Sequence, residues 1–175
     1  MTRAVAFLRA INVGGHVVKK EQLLQVFESL GFKDVVPYKQ AGNLIFECDG
    51  KDMEEVRLRI EQKLRSTLGY EVEAFIRGIP ELQRLVEKEP PATPDAMSCL
   101  VTFLPGSLPN PLPRLPVVIP KSTVEVVSTT GKEVFSLTHV MGEGGLPNQF
   151  LESKLKAKTT TRNMNVIREI VERFG

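Results

Sequence analysis

The groups in this chain with which chemistry could be done fall into three short runs. Near the start, "LRAINVGGH" sets Arg9, Asn12, Gly14, Gly15 and His16 close together. Further on, "KQAGN" supplies Gln40, Gly42 and Asn43, and near the end "TTRN" supplies Thr160, Thr161, Arg162 and Asn163. Guanidinium groups form charge-assisted bonds with phosphates and carboxylates, amides offer donor and acceptor together, and glycine lets a backbone approach a ligand closely. The chemistry this set suits is recognition of a small anion. Lys158 and Arg162 add to that, because they precede the last helix, where the orphan N–H groups usually collect acidic residues instead.

Catalytic groups are few. His16 lies in the glycine loop, where an imidazole could move a proton or hold an anion near neutral pH. His139, at the end of an alternating run, reads as a packed or surface residue, and neither histidine has a serine or cysteine nucleophile motif beside it. Cys48 and Cys99 sit in apolar runs without CxxC spacing, so neither a disulfide framework nor a zinc site is expected, and no metal or cofactor is called for. "NVGGHVV" lacks the third glycine of a dinucleotide turn and the Gly-Lys-Ser/Thr of a phosphate loop.

The elements that must position these residues follow from periodicity and punctuation. An apolar strand at 4–11 leads through Gly14-Gly15 to a helix over 19–30 that ends at Gly31. Strands at 34–40 and 43–49 are joined at Ala41-Gly42, with Pro37 confining the first of them to a sheet edge. Asp52 and Glu55 open a second helix, which Gly69 ends, and 71–76 is a strand. "SLGF" and "TLGY" repeat the same helix-ending chemistry. The order βαββαβ predicts a ferredoxin-like unit for residues 1–77. In such a sheet the first strand's end, the second strand's end and the third strand's start share one edge, and the first helix begins there. Arg9, Asn12, Gly14, Gly15, Lys39, Gln40, Gly42 and Asn43 are then expected to gather around that helix start, a suitable place for an anion.

After a connecting helix at 79–89, "PPATP" (90–94) reads as a linker, which predicts domains at 1–89 and 95–175. The second is a smaller α+β unit with a strand at 97–104 and a hairpin about Thr130-Gly131. It ends in two helices, one opened by Pro147 and one carrying Met164, Ile167, Ile170, Val171 and Phe174 on one face. Between 105 and 120, six of sixteen residues are proline, and no regular element is expected there.

Composition is that of a soluble globular α+β protein: 42% hydrophobic and 25% charged residues leave no run approaching a membrane span. A cytoplasmic location and no membrane partner are expected. The net charge of +2 is unevenly spread. The first twenty residues carry four cations and no acid, the last twenty-five carry six cations and three acids, and the middle is therefore five net negative. Basic termini suit an anionic partner. RNA ranks below a small ligand, because aromatics are only 6% of the chain and Phe7 and Phe46 stand alone without an RNP-like run.

The runs "LRAINVGG" (8–15), "YKQAGNLIF" (38–46), "LPNQFLESKL" (146–155) and "TTRNMN" (160–165), in this order and spacing, resemble the bacterial domain of unknown function 1697 family. The resemblance spans essentially the whole chain and implies a cytoplasmic α+β protein with no established activity. It nominates the residues of the three runs named above, His16 apart. The chain departs from the family pattern at Met164 for Trp, Ala41 for Ser, Ala10 for Gly and Val166 for Thr. The overlap predicts a cleft in which Arg162 faces Gly14-Gly15 and a phosphate or carboxylate lies between the halves. Three alternatives stand beside that reading: an enzyme acting on the ligand through His16 or a lysine, an RNA- or protein-interaction module, and a structural interlock in which Arg162 donates to backbone carbonyls.

Overall fold

The first strand is apolar on both sides, and its register explains why. The computed structural model describes residues 1–9, 11, 15–139 and 147–175, with the side chains of Gln40 and Ala41 excepted. The chain divides into two units, Met1–Glu81 and Leu82–Gly175. The first contains β1 (Thr2–Leu8), α1 (Lys20–Ser29), β2 (Lys33–Tyr38), β3 (Gln40–Cys48), α2 (Met53–Leu68) and β4 (Ala74–Gly78). Its sheet has the order β2-β3-β1-β4, with every neighbour antiparallel. Pairs such as Ala4↔Phe46 and Ala6↔Leu44 form one face, packed with Leu23, Phe27, Ile60 and Leu64 of the two helices. Val5, Phe7 and Ile45 on the opposite face are buried as well. A strand buried on both faces has no polar positions to alternate with, hence the unbroken "AVAFL".

Both helices end on glycine with φ 83°, but by different bonds. At α1, Gly31 N–H donates to Glu28 O (2.9 Å) and Phe32 N–H to Phe27 O (3.4 Å), the paired bonds of a Schellman motif, with the Phe27 and Phe32 rings 5.9 Å apart over it. At α2, Gly69 N–H donates to Arg65 O (2.9 Å), the single bond of the simpler left-handed cap. Asp52 opens α2 by accepting from Glu54 N–H. The hairpin expected at Ala41-Gly42 turns earlier. Lys39 alone, at φ 57°, carries the turn between the paired Tyr38 and Gln40, so Ala41 and Gly42 lie inside β3. The register slips between Pro37 and Tyr38, where the proline offers no N–H to the ladder.

α3 (Ile79–Glu87) spans the division at 81/82, ahead of the proline-rich break at 90–94. The second unit continues with β5 (Ser98–Phe103), β6 (Val117–Val118), β7 (Val124–Thr129), β8 (Glu133–Thr138), α4 (Asn148–Leu155), β9 (Thr160–Asn163) and α5 (Met164–Phe174). Its sheet order is β6-β7-β8-β5-β9, again antiparallel. Two expectations are corrected here. The proline-rich stretch contains β6, because Val117 and Val118 are free of proline and pair with Val126 and Glu125. The second half ends in two helices as expected, but between them, where no element is predicted, β9 forms an edge strand. Leu108, Leu112, Leu115 and Ile119 pack against a core of Leu104, Val126, Val134, Leu151 and Leu155, which anchors the irregular segment without regular hydrogen bonding. The whole is a mixed α+β chain with two antiparallel sheets. No helix among the described residues is long and apolar enough to cross a membrane.

Candidate functional site

In the first unit, pairing decides which polar residues meet. Phe7↔Asn43, Leu8↔Ala74 and Tyr38↔Gln40 bring the ends of β1 and β2 and the starts of β3 and β4 to one sheet edge. Arg9 is fixed just beyond it: its N–H donates to Glu73 O (2.9 Å), and its guanidinium stands 3.9 Å from the Glu73 carboxylate. Asn43 is fully buried, and its Nδ2 donates to Tyr38 O (3.2 Å), tying the two sides of the Lys39 turn together. α1 runs back toward the start of β2, so its N-terminus lies at the same edge. Lys19 occupies its cap position with extended backbone and makes no side-chain capping bond.

Gly15 and His16 lie on the approach to α1. Gly15 has φ 83°, and a Cβ there would meet nothing within 4 Å, so the residue is needed for its backbone conformation. The exposed His16 ring stacks on Tyr70, with ring centroids 4.1 Å apart, while the buried Tyr70 hydroxyl has no hydrogen-bond partner among the described residues. Gly42 is buried in β3. Asn12 and Gly14 lie outside the described residues, as does the side chain of Gln40. The first unit therefore gathers Arg9, Asn43 and the Lys39 turn at one edge, with Gly15 and His16 on the segment that enters α1.

In the second unit the cationic run leads directly into α5, as expected, but does so as a strand. Thr160 to Asn163 form β9, with Thr161 opposite Thr102 and Arg162 opposite Val101 on β5. The Thr102 and Thr161 hydroxyls bond across the ladder at 2.8 Å. Thr159, fully buried, donates its N–H to the Glu152 carboxylate (2.8 Å), and its hydroxyl accepts from Asn148 Nδ2 (2.9 Å). Asn148 and Glu152 thus reach from one turn to the next of α4 to hold the entry to β9. The cap of α5 is Asn163, which accepts from Asn165 N–H (2.9 Å), and not a threonine hydroxyl.

Arg162 Nη1 donates to Thr160 Oγ1 (2.7 Å) and to Thr161 O (2.9 Å). Burial pushes its guanidinium down to about 10, which still leaves it charged at neutral pH. Of the two cations that drew attention, Lys158 is exposed and Arg162 is folded into the sheet. Farther along α5, Arg168 pairs with Glu89 and bonds Asn165. Burial, with Glu89 beside it, pushes the Cys99 thiol up to about 12, and burial raises Cys48 too, so neither is poised as a nucleophile.

Sequence reasoning missed Tyr70, Glu73, Asn148 and Glu152. Tyr70 had a signal, since the "TLGY" echo singles out its aromatic ring. Asn148 and Glu152 are four apart within "NQFLE", the spacing that puts two side chains on one helix face. The three consecutive threonines, β-branched and disfavoured inside helices, were the signal for β9.

A family model described as "Protein of unknown function (DUF1697)" matches residues 1–135. No curated protein matches the chain. Among solved structures it is similar to the conserved bacterial protein SP0830 from Streptococcus pneumoniae, with a TM-score of 0.68 at 18% identity, covering 98% of this chain and 97% of that one. At that identity the likeness carries the fold alone.

Proposed function

The chain belongs to the DUF1697 family of proteins of unknown function, and from that premise we propose that it binds a small ligand bearing a phosphate or carboxylate. The single observation that carries this reading is the register of the first sheet. It sets Arg9 and the Lys39 turn at the edge where α1 begins without a side-chain cap. An uncapped helix start offers backbone N–H groups and partial positive charge to an anion, and Arg9 adds a full charge beside it. Gly15, Gly42 and Asn43 are proposed to belong to that site, with Asn12, Gly14 and Gln40 of the same motif runs and His16 as further candidates; Thr160, Thr161, Arg162 and Asn163 remain candidates of the second unit, taken by themselves. The strand order β2-β3-β1-β4 within a βαββαβ chain also supports classing the first unit as ferredoxin-like.

The test is a thermal-shift titration of the whole chain with inorganic phosphate, nucleotides, sugar phosphates and dicarboxylates. A compound at about 100 times its dissociation constant adds about 2.7 kcal/mol, a rise of roughly 5–10 °C for a chain of this size. The rise is expected to vanish in Arg9→Ala and to survive 0.3 M salt. Silence across the panel, or an undiminished rise in Arg9→Ala, sinks the reading. The exposed His16 ring on Tyr70 favours single-stranded nucleic acid as the second reading, because bases stack on such surfaces. A steep loss of affinity with salt would select it.

A further inference from the structure

His139 sits at the end of β8 with a carboxylate at each ring nitrogen. Nδ1 is 3.4 Å from Asp95 Oδ2 and 3.4 Å from Asp95 O, and Nε2 is 3.5 Å from Glu125 Oε2. The backbone around the ring is fixed by bonds from His139 N–H to Thr123 O (3.2 Å) and from Met97 N–H to Thr138 O (2.7 Å). Asp95 belongs to the segment that leads from α3 into β5, and Glu125 to β7. Among the described residues these are the two ionisable groups that meet the ring.

A neutral imidazole carries one N–H. Whichever nitrogen holds it, the other turns a lone pair toward a carboxylate that can only accept. The imidazolium is attracted by both carboxylates and can donate from both nitrogens, so the placement favours the protonated ring. We propose that His139 is a proton-operated clasp that holds the 93–97 segment against the second sheet when charged and releases it when neutral. Imidazole is the side chain that ordinarily changes charge between pH 5 and 8, which sets the two pH values at which the clasp is tested. The distances lie at the outer limit of hydrogen bonding and Asp95 is 77% exposed, so the hold is a modest one. The Asp95 carboxyl is kept below the usual carboxylate range by its own backbone N–H, then by the Thr93 hydroxyl, and also by His139, so it stays charged to receive the ring.

Backbone hydrogen exchange of the whole chain at pH 5.5 and 8.0, corrected for intrinsic rates, reads the clasp at Ala96 and Met97. Protection there is expected to fall about three- to tenfold at the higher pH, the scale of one or two exposed ion pairs. The Glu133 amide at the far end of β8 is expected to keep its protection. In His139→Gln the low-pH protection should drop to the high-pH value. Should that variant fail to fold, Asp95→Asn at its exposed position gives the same test, with the pH dependence halved or lost. Equal protection of the wild type at both pH values, or an unchanged pH dependence in either variant, overturns the proposal.

Discussion

Arg9 and Arg162 are the two arginines of the motif runs, and the two units use them in opposite ways. Arg9 stands past the end of a strand, within a loose 3.9 Å of a carboxylate, beside an uncapped helix. Arg162 stands inside an edge strand, donating to a hydroxyl and a carbonyl of its own strand, with its charge partly desolvated. A guanidinium in a short motif therefore does not by itself announce a ligand. What separates the two is where the hydrogen bonds go. Arg162 donates to Thr160 Oγ1 and Thr161 O within its own strand, and the Arg9 guanidinium faces the Glu73 carboxylate at 3.9 Å past the end of its strand.

The sharpest way to break that contrast is to truncate both. Arg162→Ala is expected to cost about 2–4 kcal/mol in urea denaturation, from lost packing and abandoned partners around a buried charge. Arg9→Ala is expected to cost less than about 1 kcal/mol, as loose surface pairs do. Equal losses would mean that the two arginines do the same structural job.

Alkaline unfolding sharpens it next. The Cys99 thiol is raised from 9.0 to about 12 in the folded chain, so its contribution is complete below pH 9 and disappears as pH climbs through 12. Arg162, lowered to about 10, acts in the other direction: its burial penalty is relieved between pH 10 and 12.5 as the folded form gives up its proton first. From pH 9 to 10 the raised Cys99 thiol should lower stability by about 1 kcal/mol, the part of the fall that Cys99→Ala removes, and the raised Cys48 thiol adds its own share. Between 10 and 12 the two oppose, and Arg162→Met should steepen the decline. A wild-type profile flat from 9 to 10 would remove the buried-thiol half of this account.

The smallest effect compares the helix starts. Asn163→Ala removes the α5 cap and should cost about 1 kcal/mol, whereas Lys19→Asp supplies α1 with the cap it lacks and should add about 0.5 kcal/mol. If α1 awaits an anion, the same Lys19→Asp carboxylate occupies the place and suppresses the ligand-induced thermal shift. A stabilised variant that still binds would move the site away from that helix.

The first unit could be read ahead of its structure because its signals are local. Apolar runs, two glycine stops and an aspartate cap each lie within a few residues of what they control. The Lys39 turn was misplaced by two residues because Ala41-Gly42 looks like a turn, while the left-handed residue is a lysine that nothing nearby marks. β9 was hidden for a different reason. Four residues next to a helix cap read equally well as a cap or a strand, and the choice is made by β5, some sixty residues away in the chain. The clasp at His139 was invisible for that reason too, since its carboxylates come from a turn and a neighbouring strand.

That separation has a consequence for how the second unit comes together. Thr102 and Thr161 are 59 residues apart, whereas β7 and β8 are joined through Thr130-Gly131, and closing the longer loop costs about 2 kcal/mol more chain entropy. The hairpin should be protected early in refolding, β5 should then add to β8, and β9 should arrive late. Until it does, "SCLVTF" waits as an open edge with neither a proline nor a charge to blunt it. The segment most exposed to misassembly is then β5, an interior strand once folding is complete, and crowded refolding should trap it against its counterpart in another chain.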